Sequence, residues 1–252
     1  MLTSDFADEP FRFPEPLREG VILARPNRFI MDVLLDGKTV RCHCPVVTRI
    51  GNLDLAGRPC LVSDSHNLKR KLPLTVEAFS LDKPDAPVKR WIGINQNASN
   101  RYVEHFLREG AFADITGPVR GLQREVRLGD SRLDFLINDD LYLEVKTPLA
   151  QIQTDIPSYV PHLPEKPFSS TDRAMRHLRE LARVLAKHDR AVILYCLYYD
   201  NTGFRYYHGT TYDEVMETVR ACHDAGVELW QADFEMTAEA IALRHYYLME
   251  EW

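Results

Sequence analysis

From Ser131 to Lys146 the chain reads Ser-Arg-Leu-Asp-Phe-Leu-Ile, Asn-Asp-Asp, Leu-Tyr-Leu-Glu-Val-Lys, an alternation of apolar and polar positions with the period of a β-strand. Closing Asn138–Asp140 as the loop pairs Ile137 with Leu141, and stepping back along both strands sets Asp134 opposite Glu144. Leu133, Phe135, Ile137, Leu141, Leu143 and Val145 then take the other face, the expected core side, while Lys146 returns to the face of the carboxylates.

Opposed side chains in such a pair have Cβ atoms about 4.5–5.5 Å apart, so two carboxylates there can share one divalent cation. Hard oxygen donors suit Mg²⁺ or Mn²⁺, and the expected ligands are Asp134, Glu144 and the backbone carbonyl of Val145. A cation held this way neutralises a phosphate and acidifies a bound water, and a lysine alongside orients the water or stabilises developing charge. Asp134, Glu144 and Lys146 are therefore the candidate catalytic residues for phosphodiester hydrolysis. The bland alternative is a solvated hairpin, although like charges placed directly opposite are unfavourable there.

The rest of the chain sets this hairpin in a two-domain order. Residues 1–15 carry no period and read as an irregular extension. Strand-like runs at 21–23, 29–35 and 39–44, with Asp36-Gly37 between the last two, are followed by others at 58–62 and 74–81. With no helix among them they predict a small β-barrel of the OB type over 16–85. Lys83–Pro87 reads as a linker. Over 86–252 the pattern turns to α/β: a helix at 100–108, strands at 124–128, 132–137 and 141–147, a helix at 171–188, a strand at 191–199, a helix at 212–225 stopped by Gly226 and a strand at 227–232. This is the element order of a restriction-endonuclease-like core. Pro148–Phe168, rich in proline, is expected to border the metal site as a mobile cover.

No apolar run approaches the ~18 residues of a membrane span, and the N-terminus lacks the pattern of a secretory signal, so a cytoplasmic protein without membrane contact is expected. The five cysteines lack a framework spacing and read as reduced thiols. Cys42-His43-Cys44 has no second cluster to complete a zinc site. A net charge of −6 argues against bulk coating of nucleic acid, yet residues 21–75 hold nine Lys/Arg against four Asp. That local excess suits a phosphate-facing surface. Lys69-Arg70-Lys71 is its densest part, and Arg132 shares the face of Asp134. Glu104 and Glu125 are additional carboxylates kept outside the core site.

Along nearly the whole chain from Pro16 the text resembles the sugar fermentation stimulation protein family. The matching words include Arg28-Phe29, Asp32-Val33, His43-Cys44-Pro45, Asn67-Leu68-Lys69-Arg70-Lys71, Asn100-Arg101 and Glu125-Val126. They continue with Ser131-Arg132-Leu133-Asp134-Phe135, Glu144-Val145-Lys146, Arg173 and Arg176-His177-Leu178. The resemblance implies an OB-like domain, a PD-(D/E)xK nuclease-like domain and DNA binding. Val46-Val47-Thr48 departs from the family's usual Asn-Thr-Gly. The expected nucleic-acid contacts are Arg25, Arg28, Lys69, Arg70 and Lys71 in the first domain and Arg132, Arg173, Arg176 and His177 in the second. Two function classes stand: a metal-dependent nuclease acting on DNA or RNA, and a non-catalytic DNA-binding regulator of sugar metabolism genes built on a nuclease-like fold. The oligomeric state is not legible.

Overall fold

The computed structural model describes residues 9–46, 48–128, 131–164, 179, 181–182, 190–206 and 212–250. Six strands build the first sheet: β2 (Arg18–Asn27), β3 (Ile30–Leu35), β4 (Lys38–His43), β5 (Pro59–Asp64), β6 (Leu74–Ser80) and β7 (Trp91–Gly93). Their order is β4-β3-β2-β5-β6-β7, and a pairing of β4 with β6 through His43 and Thr75 closes the barrel. Leu35 pairs with Lys38 across Asp36-Gly37, whose φ angles of 49° and 76° are what a tight hairpin turn demands. Inward residues such as Ile22, Met31, Val33, Val76 and Phe79 are buried.

The segment 83–87, expected to link the domains, is instead part of the connection that returns the chain to the barrel as β7. Asp82 accepts from the Arg90 backbone N–H at 2.8 Å, and β7 pairs antiparallel with β6. The passage to the second sheet therefore follows Gly93. That sheet has seven strands in the order β1-β13-β12-β11-β10-β9-β8. They are β1 (Phe11–Arg12), β8 (Leu122–Leu128), β9 (Ser131–Ile137), β10 (Leu141–Lys146), β11 (Arg190–Leu197), β12 (Glu228–Met236) and β13 (Ala240–Leu248). β10, β11 and β12 run parallel, and the other pairs are antiparallel.

Helices α1 (Ser99–Arg108) and α2 (Ala113–Thr116) cover one face of the second sheet. Tyr102, Val103, Phe106 and Ile115 pack there with Phe135, Leu143, Val192 and Leu194. On the other face Ile193, Tyr195 and Leu229 join a cluster shared with α3 (Tyr212–Asp224) and with the barrel interior. The two domains thus share one apolar core. The predicted helix 171–188 lies almost wholly outside the described residues.

The irregular extension expected over 1–15 is corrected in its second half, because Phe11 and Arg12 pair with Ile241 and Ala240. Phe11 finds burial against Tyr102, with ring centroids 4.9 Å apart, which anchors a stretch too short to show a period. All five cysteines are free and buried, and burial pushes the Cys42 thiol up to about 11. Among the described residues no helix is long and apolar enough to cross a membrane.

Candidate functional site

The hairpin forms in the expected register, with Leu141 on Ile137, Tyr142 on Leu136 and Leu143 on Phe135. Its turn needs two left-handed residues, Asn138 (φ 54°) and Asp139 (φ 62°), and both are of the types that tolerate that backbone. The Asn138 Oδ1 accepts the Arg120 N–H at 2.8 Å, pinning the turn to the approach of β8.

Beyond Leu143 the ladder gives way to side chains. The Asp134 N–H points to Glu144 Oε2 at 3.3 Å, and the Val145 N–H donates to Asp134 Oδ2 at 2.8 Å. Each carboxylate thus takes a hydrogen bond from the opposite strand's backbone. Five of the six apolar residues assigned to the core face pack together under α1, but Leu133, although fully buried, joins the other cluster. The alternation is therefore broken at Asp134, where the regular pairing stops.

Two more side chains complete the site. Asn100, in the first turn of α1, donates through Nδ2 to Asp134 Oδ1 at 2.6 Å, and Lys146 Nζ donates to Glu144 Oε1 at 2.5 Å. Glu144 is 2% exposed, so this is no solvated hairpin. Burial, reinforced by the charge of Glu144, pushes the Asp134 carboxyl up to about 6, against the opposing effects of the Val145 N–H, Asn100 and Lys146. Two carboxylates and one lysine leave the pair short of positive charge. That donor set, two hard oxygen ligands under one ammonium, fits a divalent cation.

The remaining candidates are scattered around this centre. Arg25 is drawn into structure: its Nη2 donates to the carbonyls of Val46 at 2.7 Å and Thr48 at 3.0 Å, holding the loop after β4. Arg28 stacks its guanidinium 4.7 Å over the exposed Phe29 ring. Lys69, Arg70 and Lys71 are exposed on the β5–β6 loop beside Leu68, which is wholly exposed. Arg132 is exposed and paired with Glu125 at 3.0 Å, while Glu104 is engaged by Arg108 and Arg124 at 2.7 and 2.9 Å. Neither Glu104 nor Glu125 reaches the carboxylate pair by a described contact. Arg173, Arg176 and His177 lie outside the described residues.

Sequence reasoning missed three features. Asn100 carried no signal beyond its place in the resemblance, since its partner lies 34 residues away. Glu77, buried on β6, is held by Ser63 at 2.6 Å and Asn95 at 2.7 Å. Of the span 148–168 expected as a mobile cover, residues 148–164 form a strap tied to the barrel, and 165–168 lie outside the described residues. Gly51 N–H donates to the Leu149 carbonyl at 2.8 Å, Asp54 N–H to that of Pro161 at 2.8 Å, and Leu53 bridges His162. Leu149, Ile152 and Val160 of the strap are buried.

A closed OB-type barrel followed by an α/β domain, with a buried Asp–Glu pair and a lysine at the end of its central hairpin, defines a two-domain barrel and α/β protein. Residues 23–94 match the family model described as SfsA N-terminal OB domain, and residues 97–240 match Sugar fermentation stimulation protein RE domain. The chain belongs to the sugar fermentation stimulation protein family. Homologs bearing that name include one from Shewanella denitrificans, 34% identical over 88% of this chain and 92% of the relative. Another, from Gloeobacter violaceus, is 33% identical over 92% and 94%. Among solved structures, Pyrococcus furiosus SfsA in complex with Ca²⁺ shares the fold with a TM-score of 0.72 at 20% identity, covering 94% of this chain and 97% of that one.

Proposed function

We propose that this protein is a metal-dependent phosphodiesterase of the PD-(D/E)xK type that acts on DNA or RNA, with Mg²⁺ or Mn²⁺ as its cofactor. The observation that carries this reading is the meeting of two buried carboxylates, Asp134 and Glu144, with Lys146 bonded to one of them. Asp134, Glu144 and the Val145 carbonyl are the ligands, and the cation supplies charge neutralisation at the phosphate and acidifies water. Asn100 orients Asp134 from behind, so the carboxylate keeps one rotamer through turnover. Lys146 holds Glu144 in the resting protein and is the positive group available to the attacking water or to the pentavalent phosphate. One structural neighbour supports a hard cation: Pyrococcus furiosus SfsA was solved in complex with Ca²⁺. Arg28, Lys69, Arg70, Lys71 and Arg132 are the described surface cations assigned to phosphate contacts, and Arg173, Arg176 and His177 are assigned with them from the sequence. Free buried thiols suit a reducing compartment such as the cytoplasm.

Because the relatives are named for sugar fermentation stimulation, a second reading is kept, a non-catalytic DNA-binding regulator of sugar metabolism genes. Calorimetric titration of Mg²⁺ or Mn²⁺ into wild type and Asp134→Ala, followed by incubation with single-stranded, duplex and branched DNA and RNA with and without EDTA, separates the two. Cation binding lost in the variant and EDTA-sensitive cleavage support the nuclease. Equal binding in both proteins removes the site, and absence of cleavage on every substrate leaves the regulator.

A further inference from the structure

Between the barrel and the first turn of α1 lies a cleft of about 780 Å³, large enough for several groups in a row rather than one. Arg18 and Arg70 face it from the barrel, Arg101 from α1 and Arg124 from β8; all four are exposed, with Arg18 paired to Asp36 and Arg124 to Glu104. Apolar side chains also line it: Phe13, Pro14 and Pro16 from the N-terminal segment, and Pro45 and Val62 from the barrel. The carboxylates of the lining are engaged within the protein. Glu77 is held by Ser63 and Asn95, Asp64 caps the His66 N–H at 2.8 Å, and Glu15 contacts His66 at 3.0 Å.

The cleft borders the helical turn that holds one of the carboxylates. Asn97, Ala98 and Arg101 line it, while Asn100, on the same turn, carries the bond to Asp134. Its neighbour Ser99 bonds Thr147, the residue after Lys146, at 3.0 Å. A chain lying across α1 at Arg101 therefore passes beside Asn100, which holds Asp134.

Resting on the nuclease reading, we infer that this cleft is the path of a single nucleic-acid strand, with phosphates on Arg70, Arg101 and Arg124 and bases against the phenylalanine and prolines. The choice of a single strand follows from the lining. A duplex stacks its base faces inside and would leave Pro14 and Pro45 without partners, whereas an unpaired strand offers both phosphates and apolar base faces. Guanidinium groups serve both, and Arg101 is already seated over the rings of Phe11 and Tyr102 at 5.2 and 5.4 Å.

The test is fluorescence anisotropy on the full chain in EDTA, which separates binding from cleavage, using a labelled oligothymidylate of about a dozen nucleotides and a blunt duplex of the same length. The single strand is expected to bind about tenfold tighter or more, the scale of one stacked base, and Arg70→Ala with Arg101→Ala to abolish that preference. Photocrosslinking of wild type with 5-iododeoxyuridine in the oligonucleotide keeps the test valid if the double variant misfolds. Adducts are expected in peptides spanning residues 13–18, 65–73 or 97–101. Equal or tighter duplex binding, or adducts confined to other peptides, overturns the strand path even where EDTA-sensitive cleavage upholds the nuclease. Binding of neither oligonucleotide overturns the path and the nucleic-acid half of the proposed function together, while cation titration judges the metal half separately.

Discussion

Asn100 and Lys146 act on different members of the carboxylate pair, and the two bonds predict different phenotypes. Replacing Lys146 by alanine leaves Asp134, Glu144 and the Val145 carbonyl in place, so cation affinity by calorimetry should survive. Single-turnover cleavage should fall by about 10²–10³, the usual scale for loss of one charge-stabilising group. Cleavage at the wild-type rate would take Lys146 out of the mechanism. Asp134 predicts a pH effect. Its carboxyl stands at about 6 in the fold against an ordinary 3.8, so the stabilising contribution of its proton is complete below about pH 4 and lost as pH rises through about 6. In EDTA the melting temperature of wild type should therefore drop across that window relative to Asp134→Asn. Parallel curves for the two proteins would show that Asp134 does not titrate there.

At the scale of elements, the β5–β6 loop is the clearest electrostatic device. Asn67 accepts the Lys69 N–H at 3.0 Å through its side chain and the Arg70 N–H at 2.9 Å through its carbonyl, so the three cations stand on a preformed turn. Replacing Lys69, Arg70 and Lys71 by alanine should weaken duplex DNA binding alike for unrelated sequences, and should reduce the slope of log K against log salt by up to about 2.7. An unchanged slope would assign the loop to ordinary surface. The hairpin β9–β10 was legible from sequence because its period, its loop length and its turn residues all specify one register. The break at Asp134 was not legible, since it arises where side chains take over the ladder. β13 escaped notice because the register shifts between Asp233 and Phe234, so its buried positions, Ile241 and Leu243 and then Tyr246, lose the period of two. The strap at 148–164 looked structureless because its partners lie a hundred residues earlier, in the barrel.

For the whole molecule, the joint between the domains is narrow and specific. Gly93 donates its N–H to the Tyr198 carbonyl at 2.9 Å, and a Cβ there would stand 2.6 Å from that of Tyr198. Gly93→Ala should therefore cost about 1–3 kcal/mol, read as a lowered midpoint in denaturant, because the barrel must shift away from the second sheet. An unchanged midpoint would mean that the joint yields freely. The strap ties the same two domains on the Lys146 side, so movement of the barrel is transmitted to the segment leaving the site. β1 adds a third tie, and it has a consequence for the order in which the molecule is assembled. Phe11 pairs with Ile241, so the ribosome makes one partner 230 residues before the other. At synthesis rates of about 5–20 residues per second the barrel has many seconds to close while β1 still lacks its neighbour. The rings of Phe11 and Phe13 rest on Tyr102 of the early-made α1, but the backbone edge of β1 stays unpaired for that interval. Only the arrival of β13 fills that edge, so the seam between the chain's early and late portions is the last to be sewn.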